Sequence, residues 1–160
     1  MQKILTLLLT IFLIIGCTKK VELDVLPNDT YSRISKIMPL QNADFNTEYS
    51  SYLSKELPQS VMGIDTRNLQ IESVRYDFDK RNRLCAFYMT IIGKESADKL
   101  IARIDSDNRF LRLREDLGMW AINTEELAES SSQVHVLYDL NDTNKAVMSL
   151  EEFGQCYNKY

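Results

Sequence analysis

The pattern of hydrophobic positions changes character several times along the chain. Ile4 to Ile15 is apolar apart from Thr6 and Thr10. Val21-Glu22-Leu23-Asp24-Val25 then alternates with a period of two, which predicts a short strand. Tyr31, Ile34 and Met38 lie at i, i+3 and i+7, so a helix is expected there, capped by Asp29 or Thr30 and closed by Pro39. Phe45, Tyr49, Tyr52, Leu53 and Leu57 also fall at helical spacing, predicting a second helix over 43–57 that Pro58 ends.

The centre reads as a β-hairpin. Leu69 and Ile71 share one phase, and Val74, Tyr76 and Phe78 share the other, so a bulge near Ser73 or a strand buried on both sides is expected. Asp79-Lys80-Arg81-Asn82 makes a charged turn into a strand that carries Cys85, Phe87, Met89 and Ile91 on one face. Its nearly unbroken apolar run is the mark of a central strand. After Gly93, Ala97, Leu100, Ile101 and Ile104 form an amphipathic helical stripe, with Ser96 as a cap.

Arg109 to Arg114 predicts a further strand, which Met119 to Ile122 extends or accompanies, and Asn123-x-x-Glu126 a short helical turn. Val134, Val136, Tyr138 and Leu140 face inward on a last clear strand, with Ala146-Val147-Met148 as its hairpin partner. Ser149-x-x-Glu152 has the form of a capping box, opening a terminal helix striped by Phe153, Cys156, Tyr157 and Tyr160. The fold class expected from these elements is α+β: N-terminal helices followed by a mostly antiparallel sheet, with one inserted helix and a C-terminal helix.

Composition sharpens the first segment. Of the first 16 residues, 11 are hydrophobic and only Lys3 is charged, so the rest of the 160-residue chain carries a net charge of −5. That balance excludes a polytopic membrane protein, a disordered chain and a basic nucleic-acid binder. A twelve-residue helix rises about 18 Å, short of a hydrocarbon core of roughly 30 Å. A charged start, a short apolar run and a small residue before a break describe a cleavable signal peptide.

The break is Ile14-Ile15-Gly16-Cys17, followed by Thr18-Lys19-Lys20. It resembles the bacterial lipoprotein family of signal sequences, whose lipobox ends in a small residue and a cysteine. Gly16 and Cys17 match that pattern directly; Ile14 stands where leucine is commonest, and Ile15 where alanine or serine is usual. The resemblance implies diacylglyceryl attachment at Cys17, cleavage after Gly16 and acylation of the new amino terminus. It covers about 20 residues and implies nothing about the domain behind them. Thr18, not being aspartate, fits the family's sorting to the outer membrane, with the domain on the periplasmic face. The expected organisation is a signal peptide over 1–16, a lipidated cysteine and short tether over 17–20, and a single domain over 21–160.

With Cys17 acylated, Cys85 and Cys156 remain as an even pair in an oxidising compartment, and both fall on core-facing stripes. A disulfide between them is expected, with two buried thiols as the alternative. Elsewhere the chemistry is sparse. His135, the single histidine, falls on the polar side of its strand with Gln133 and Asp139, and no G-x-S-x-G elbow accompanies it. Asp139 to Asn144 begins like a calcium loop but lacks the glycine at the sixth place and the glutamate at the twelfth. Glu125-Glu126 and Glu151-Glu152 are adjacent pairs, which do not face one another across a cleft. No catalytic residue, metal ligand or cofactor site is therefore expected.

The one charged feature with aromatic company is Arg103, Arg109, Arg112 and Arg114 around Phe110. Phe110, Arg112, Arg114 and Trp120 form the expected interaction patch, suited to an acidic partner. Together these features lead to a non-enzymatic envelope lipoprotein. Acyl chains on Cys17 hold it to the membrane, and its domain engages an envelope protein or cell-wall component, not nucleic acid. The alternatives are a small-amphiphile-binding module, enclosed between helix 43–57 and the sheet, and a small periplasmic enzyme acting on the cell wall.

Overall fold

A computed structural model describes residues 20–43, 49–114, 118–122, 132–139, 142 and 144–152. Along them run β1 (Lys20–Val25), α1 (Tyr31–Ile37), β2 (Gln41–Asn42), β3 (Ser50–Ser54), β4 (Leu57–Val61), β5 (Ile64–Asp65) and β6 (Ile71–Phe78). They are followed by β7 (Leu84–Ile92), α2 (Lys94–Asp105), β8 (Phe110–Arg114), β9 (Met119–Ile122), β10 (Ser132–Tyr138) and β11 (Lys145–Glu152).

Eight strands form an antiparallel sheet in the order β2-β3-β6-β7-β11-β10-β9-β8. The other three form a small sheet, in which β1 and β4 run parallel and β5 folds back antiparallel on β4. The register of the large sheet explains its core. Tyr52, Tyr76, Phe87, Leu150, Val134 and Trp120 stand side by side across six strands, and all but Tyr52 are fully buried. The next row places Val74, Met89, Met148 and Val136 together, again buried. Because side chains alternate along a strand, these rows share one face.

Both helices and the small sheet cover that face. From α1 come Ile34 and, just past its end, Met38, whose sulfur accepts a hydrogen bond from the Tyr76 hydroxyl at 3.0 Å. Tyr31 packs its ring on Tyr52 and Phe78. Ala97, Leu100 and Ile104 are buried from α2, and Val21, Leu23, Val25, Leu57, Val61 and Ile64 from the small sheet. Asp24 fastens the small sheet, its Oδ1 accepting from Ser60 Oγ at 2.7 Å and from the Gly63 amide at 2.8 Å. Met62 and Gly63 both have positive φ, 52° and 76°, the conformation a two-residue hairpin needs to match strand twist.

These residues make a mostly β protein, which corrects the expected α+β order. The first described element is a strand, and α1 and α2 are the two helices among the described residues. The expected helix over 43–57 is overturned where the chain is described, since 50–54 form β3 and 57–61 run through β4. Tyr52 and Leu53 are neighbours in sequence, and a strand sends them to opposite faces, Tyr52 against the core and Leu53 outward. Helical spacing of aromatics could not foresee that pairing with β6 would place them so. Ser50, Ser51 and Ser54 also favour it, because serine competes for helical backbone groups and is a weak helix former. Ser51 instead donates to Asp77 Oδ1 at 2.7 Å across to β6.

The capping box at Ser149 is corrected as well. Residues 149–152 lie in β11, where Ala146, Met148 and Leu150 alternate inward, and 153–160 lie outside the described residues. Other expectations hold. Thr30 caps α1, accepting from the Arg33 amide at 3.2 Å. β6 shifts register between Ile71 and Ser73, where the phase of the sequence changes. β7 is a central strand, and β10 and β11 form the last hairpin. Gly93, with φ 84°, takes the N-cap of α2 in place of Ser96, whose hydroxyl accepts from the Gln70 amide.

Candidate functional site

The expected patch divides between core and surface. Trp120 is fully buried and Phe110 only 7% exposed, so both aromatics belong to the interior. Arg112 stands opposite Trp120 in the register and places its guanidinium 5.4 Å from the indole centroid. Its Nη1 donates to Asp105 Oδ2 at 2.9 Å, while Trp120 Nε1 donates to Asp105 Oδ1 at 2.8 Å. One carboxylate at the end of α2 thus ties the helix to two strands at the sheet edge. Arg114 pairs through its backbone with Met119.

The neighbouring arginines are engaged too. Arg103 donates to the carbonyls of Asp65 and Arg67, and Arg109 forks onto Asp107. Hydrogen bonding by Arg109 holds the Asp107 carboxyl below its ordinary range. Beside Arg112, β8 exposes two apolar side chains, Leu111, at 59%, and Leu113.

Cys85 is buried at the register shift between β6 and β7, with its sulfur 3.3 Å from the Asp77 carbonyl oxygen. That sulfur is disulfide-bonded, and Cys85 is the only cysteine among the described residues. Cys17, Cys156, Glu125 and Glu126 also lie outside them.

His135 sits on the face of the large sheet opposite the core. It stands in a row with Met119, Ser149, Tyr88, Arg75 and Leu53. Its Nε2 lies 3.2 Å from Gln133 Oε1, and among the described residues no carboxylate hydrogen-bonds it. Further along the row Arg75 pairs with buried Asp77 at 3.1 Å and stacks over Tyr88, 4.1 Å from its centroid. This is a structural ladder, with Ser51 as its last member.

The amphiphile site expected between helix 43–57 and the sheet loses its wall, because β3 is itself part of the sheet. Tyr52 is spent in packing against Tyr31 and Phe78, and Tyr49 is half-buried just before β3. A shallow apolar recess lined by Pro27, Leu84, Cys85, Ala86 and Leu150 has no room for even a water molecule. Small-molecule sites ordinarily need about 300 Å³ or more. Among the described residues no group of three or more histidines, cysteines or carboxylates gathers at one point to hold a metal.

A different surface stands out in the charge arrangement. The turn joining β6 to β7 exposes Lys80, Arg81 and Arg83 side by side. Asp79, the acid within it, is occupied: its Oδ1 accepts from the Arg81 and Arg83 amides, each at 2.8 Å. The Asn82 amide closes the turn on the Asp79 carbonyl, with Asn82 at φ 58°. Sequence reasoning saw a charged turn here and passed over it as a site. The available signal was that turn chemistry engages an aspartate's oxygen with backbone amides and leaves its cationic neighbours outward.

Compared with known proteins, the chain matches no family model, no curated sequence and no solved structure.

Proposed function

We propose that the chain is a membrane-anchored envelope lipoprotein whose β-rich domain is a non-enzymatic interaction module for another envelope macromolecule. The observation that carries the reading is Ile14-Ile15-Gly16-Cys17 at the end of a twelve-residue apolar run, with β1 beginning only three residues after the cysteine. Three residues span at most about 10 Å, so an anchor on Cys17 holds the domain against the membrane and not on a stalk. Two or three acyl chains, at about 0.8 kcal/mol per buried methylene, give durable attachment, whereas one chain gives marginal binding. Outer-membrane residence on the periplasmic face is the location proposed, from Thr18 after the cysteine.

The test is metabolic labelling with palmitate in a Gram-negative host, paired with membrane fractionation. The wild-type chain is expected to take up label and sediment with membranes. Cys17→Ser is expected to lose the label and to enter the soluble fraction after cleavage or remain as unlabelled precursor. Label retained by Cys17→Ser would overturn the anchor. Turnover of a peptidoglycan substrate by the purified chain would overturn the non-enzymatic part.

A further inference from the structure

The geometry points to the β6–β7 turn as a docking surface for an acidic segment of a partner protein, through Lys80, Arg81 and Arg83. The inference rests on the interaction-module reading and gives that module a binding end.

Charge bookkeeping singles out this turn. Among the described side chains Arg33, Arg67, Arg75, Lys94, Lys99, Arg109, Arg112 and Lys145 each meet a carboxylate, and Arg103 meets two carbonyls. Lys80, Arg81 and Arg83 meet none among the described residues, and neither do the isolated Lys36 and Lys55; the turn is distinct in gathering three such cations within four residues of a chain whose net charge beyond residue 16 is −5. Three cations within four residues, set against the single carboxylate of Asp79, make a local positive field on a negative body. Such a field steers an acidic surface and raises its rate of encounter.

The turn is also held in place. The Tyr31 amide donates to the Asn82 carbonyl at 2.9 Å, the Leu84 amide to the Asp29 carbonyl at 2.6 Å, and the Asn28 amide to the Leu84 carbonyl at 3.2 Å. A backbone bridge joins Thr30 to Arg83. A turn clamped on both sides loses little freedom on binding, so more of the ion-pair energy appears as affinity. Leu26, 41% exposed in the loop that clamps it, adds an apolar contact beside the charges.

Position favours a protein over the anchoring bilayer. The turn adjoins the far end of β1, whose Val25 lies about 17 Å from Lys20. That is about twice the screening length of about 8 Å at physiological salt. The cations therefore sit away from the point of attachment, and the vesicle arm of the test decides between a protein and the bilayer.

Binding of fluorescent poly-L-glutamate to the full chain, held in nanodiscs of zwitterionic lipid, tests this. The wild type is expected to bind, more weakly as salt rises. Lys80→Gln/Arg81→Gln/Arg83→Gln is expected to lose about tenfold in affinity at low salt. Lys94→Gln/Lys99→Gln/Lys145→Gln removes the same charge from paired positions and is expected to lose less than about twofold. Equal losses in the two triples, or no binding by the wild type, would overturn the assignment. So would capture of phosphatidylglycerol vesicles through the same three residues, which would make the ligand a lipid. These results are read separately from palmitate labelling: failure of the turn leaves the anchor standing, and loss of the anchor leaves the binding result standing.

Discussion

At the scale of single residues, Asp105 shows how one side chain settles what its neighbours do. The buried indole N–H of Trp120 needs an acceptor, and the carboxylate at the end of α2 supplies it. Arg112 completes the pair from a side chain that is 37% exposed. Trp120→Phe removes a hydrogen bond to a charged acceptor and leaves a partial void, so a loss of about 2–3 kcal/mol is expected in urea unfolding. Arg112→Gln is expected to cost less than about 1 kcal/mol, because solvent screens the half-exposed pair. Equal losses in the two variants would contradict this division. A tryptophan beside arginines in the sequence suggests a surface, but the sequence does not say that the indole points inward.

At the scale of elements, α2 carries ion pairs along its own rim, while its apolar stripe and the side chains of Tyr138, Arg112 and Trp120 tie it to the sheet. Asp98 is held below the ordinary carboxyl range first by the Lys94 ammonium and then by the Tyr138 hydroxyl, which donates to it at 2.7 Å. Lys99 does the same for Glu95, and Arg109 for Asp107 just beyond the helix. A carboxyl with a lowered folded pKa contributes stability above its unfolded value of about 4 and loses it as pH falls through the lower folded value. The melting temperature is therefore expected to be flat near neutrality and to drop below about pH 4. Asp98→Asn/Asp107→Asn should shallow that drop in a calorimetric series, and an unchanged acid limb would refute the assignment. α2 was legible in the sequence because Ala97, Leu100 and Ile104 repeat at helical period and nothing competes with them. β3 was not, because five residues with two apolar side chains carry too little pattern to announce a partner strand.

At the scale of the whole molecule, a covalent tie reaches the sheet where β7 begins. Cys85 is disulfide-bonded, and the chain has two other cysteines. The pairing expected from the sequence is with Cys156, which leaves Cys17 for the lipid. Glu151 of β11 lies opposite Ala86, and β11 runs to Glu152, four residues before Cys156. Four residues reach about 13 Å, enough to bring a sulfur back to Cys85. A bridge across the 71-residue separation is worth about 4 kcal/mol in the chain-entropy model. Cys156→Ala and Cys85→Ala/Cys156→Ala are then expected to lose similar stability. A non-reduced digest should link the Cys85 and Cys156 peptides; a link from Cys85 to Cys17 would refute both this pairing and the lipid anchor.

The residues alone determined what depends on local order. The apolar run ending at Gly16-Cys17 specified the expected address, and the periods of α1, α2, β6, β7 and β10 specified their own elements, since a helix or strand with one buried face must repeat at its own period. Tertiary structure decided what depends on neighbours far along the chain. It made 50–54 a strand by giving it β6 to pair with, and kept 149–152 in β11 by placing it between β7 and β10. It also turned Trp120 inward against the end of α2, and left the cations of the β6–β7 turn without ion pairs among the described residues. Strand pairing, burial and charge compensation are relations between distant residues, and no single stretch of sequence contains both partners.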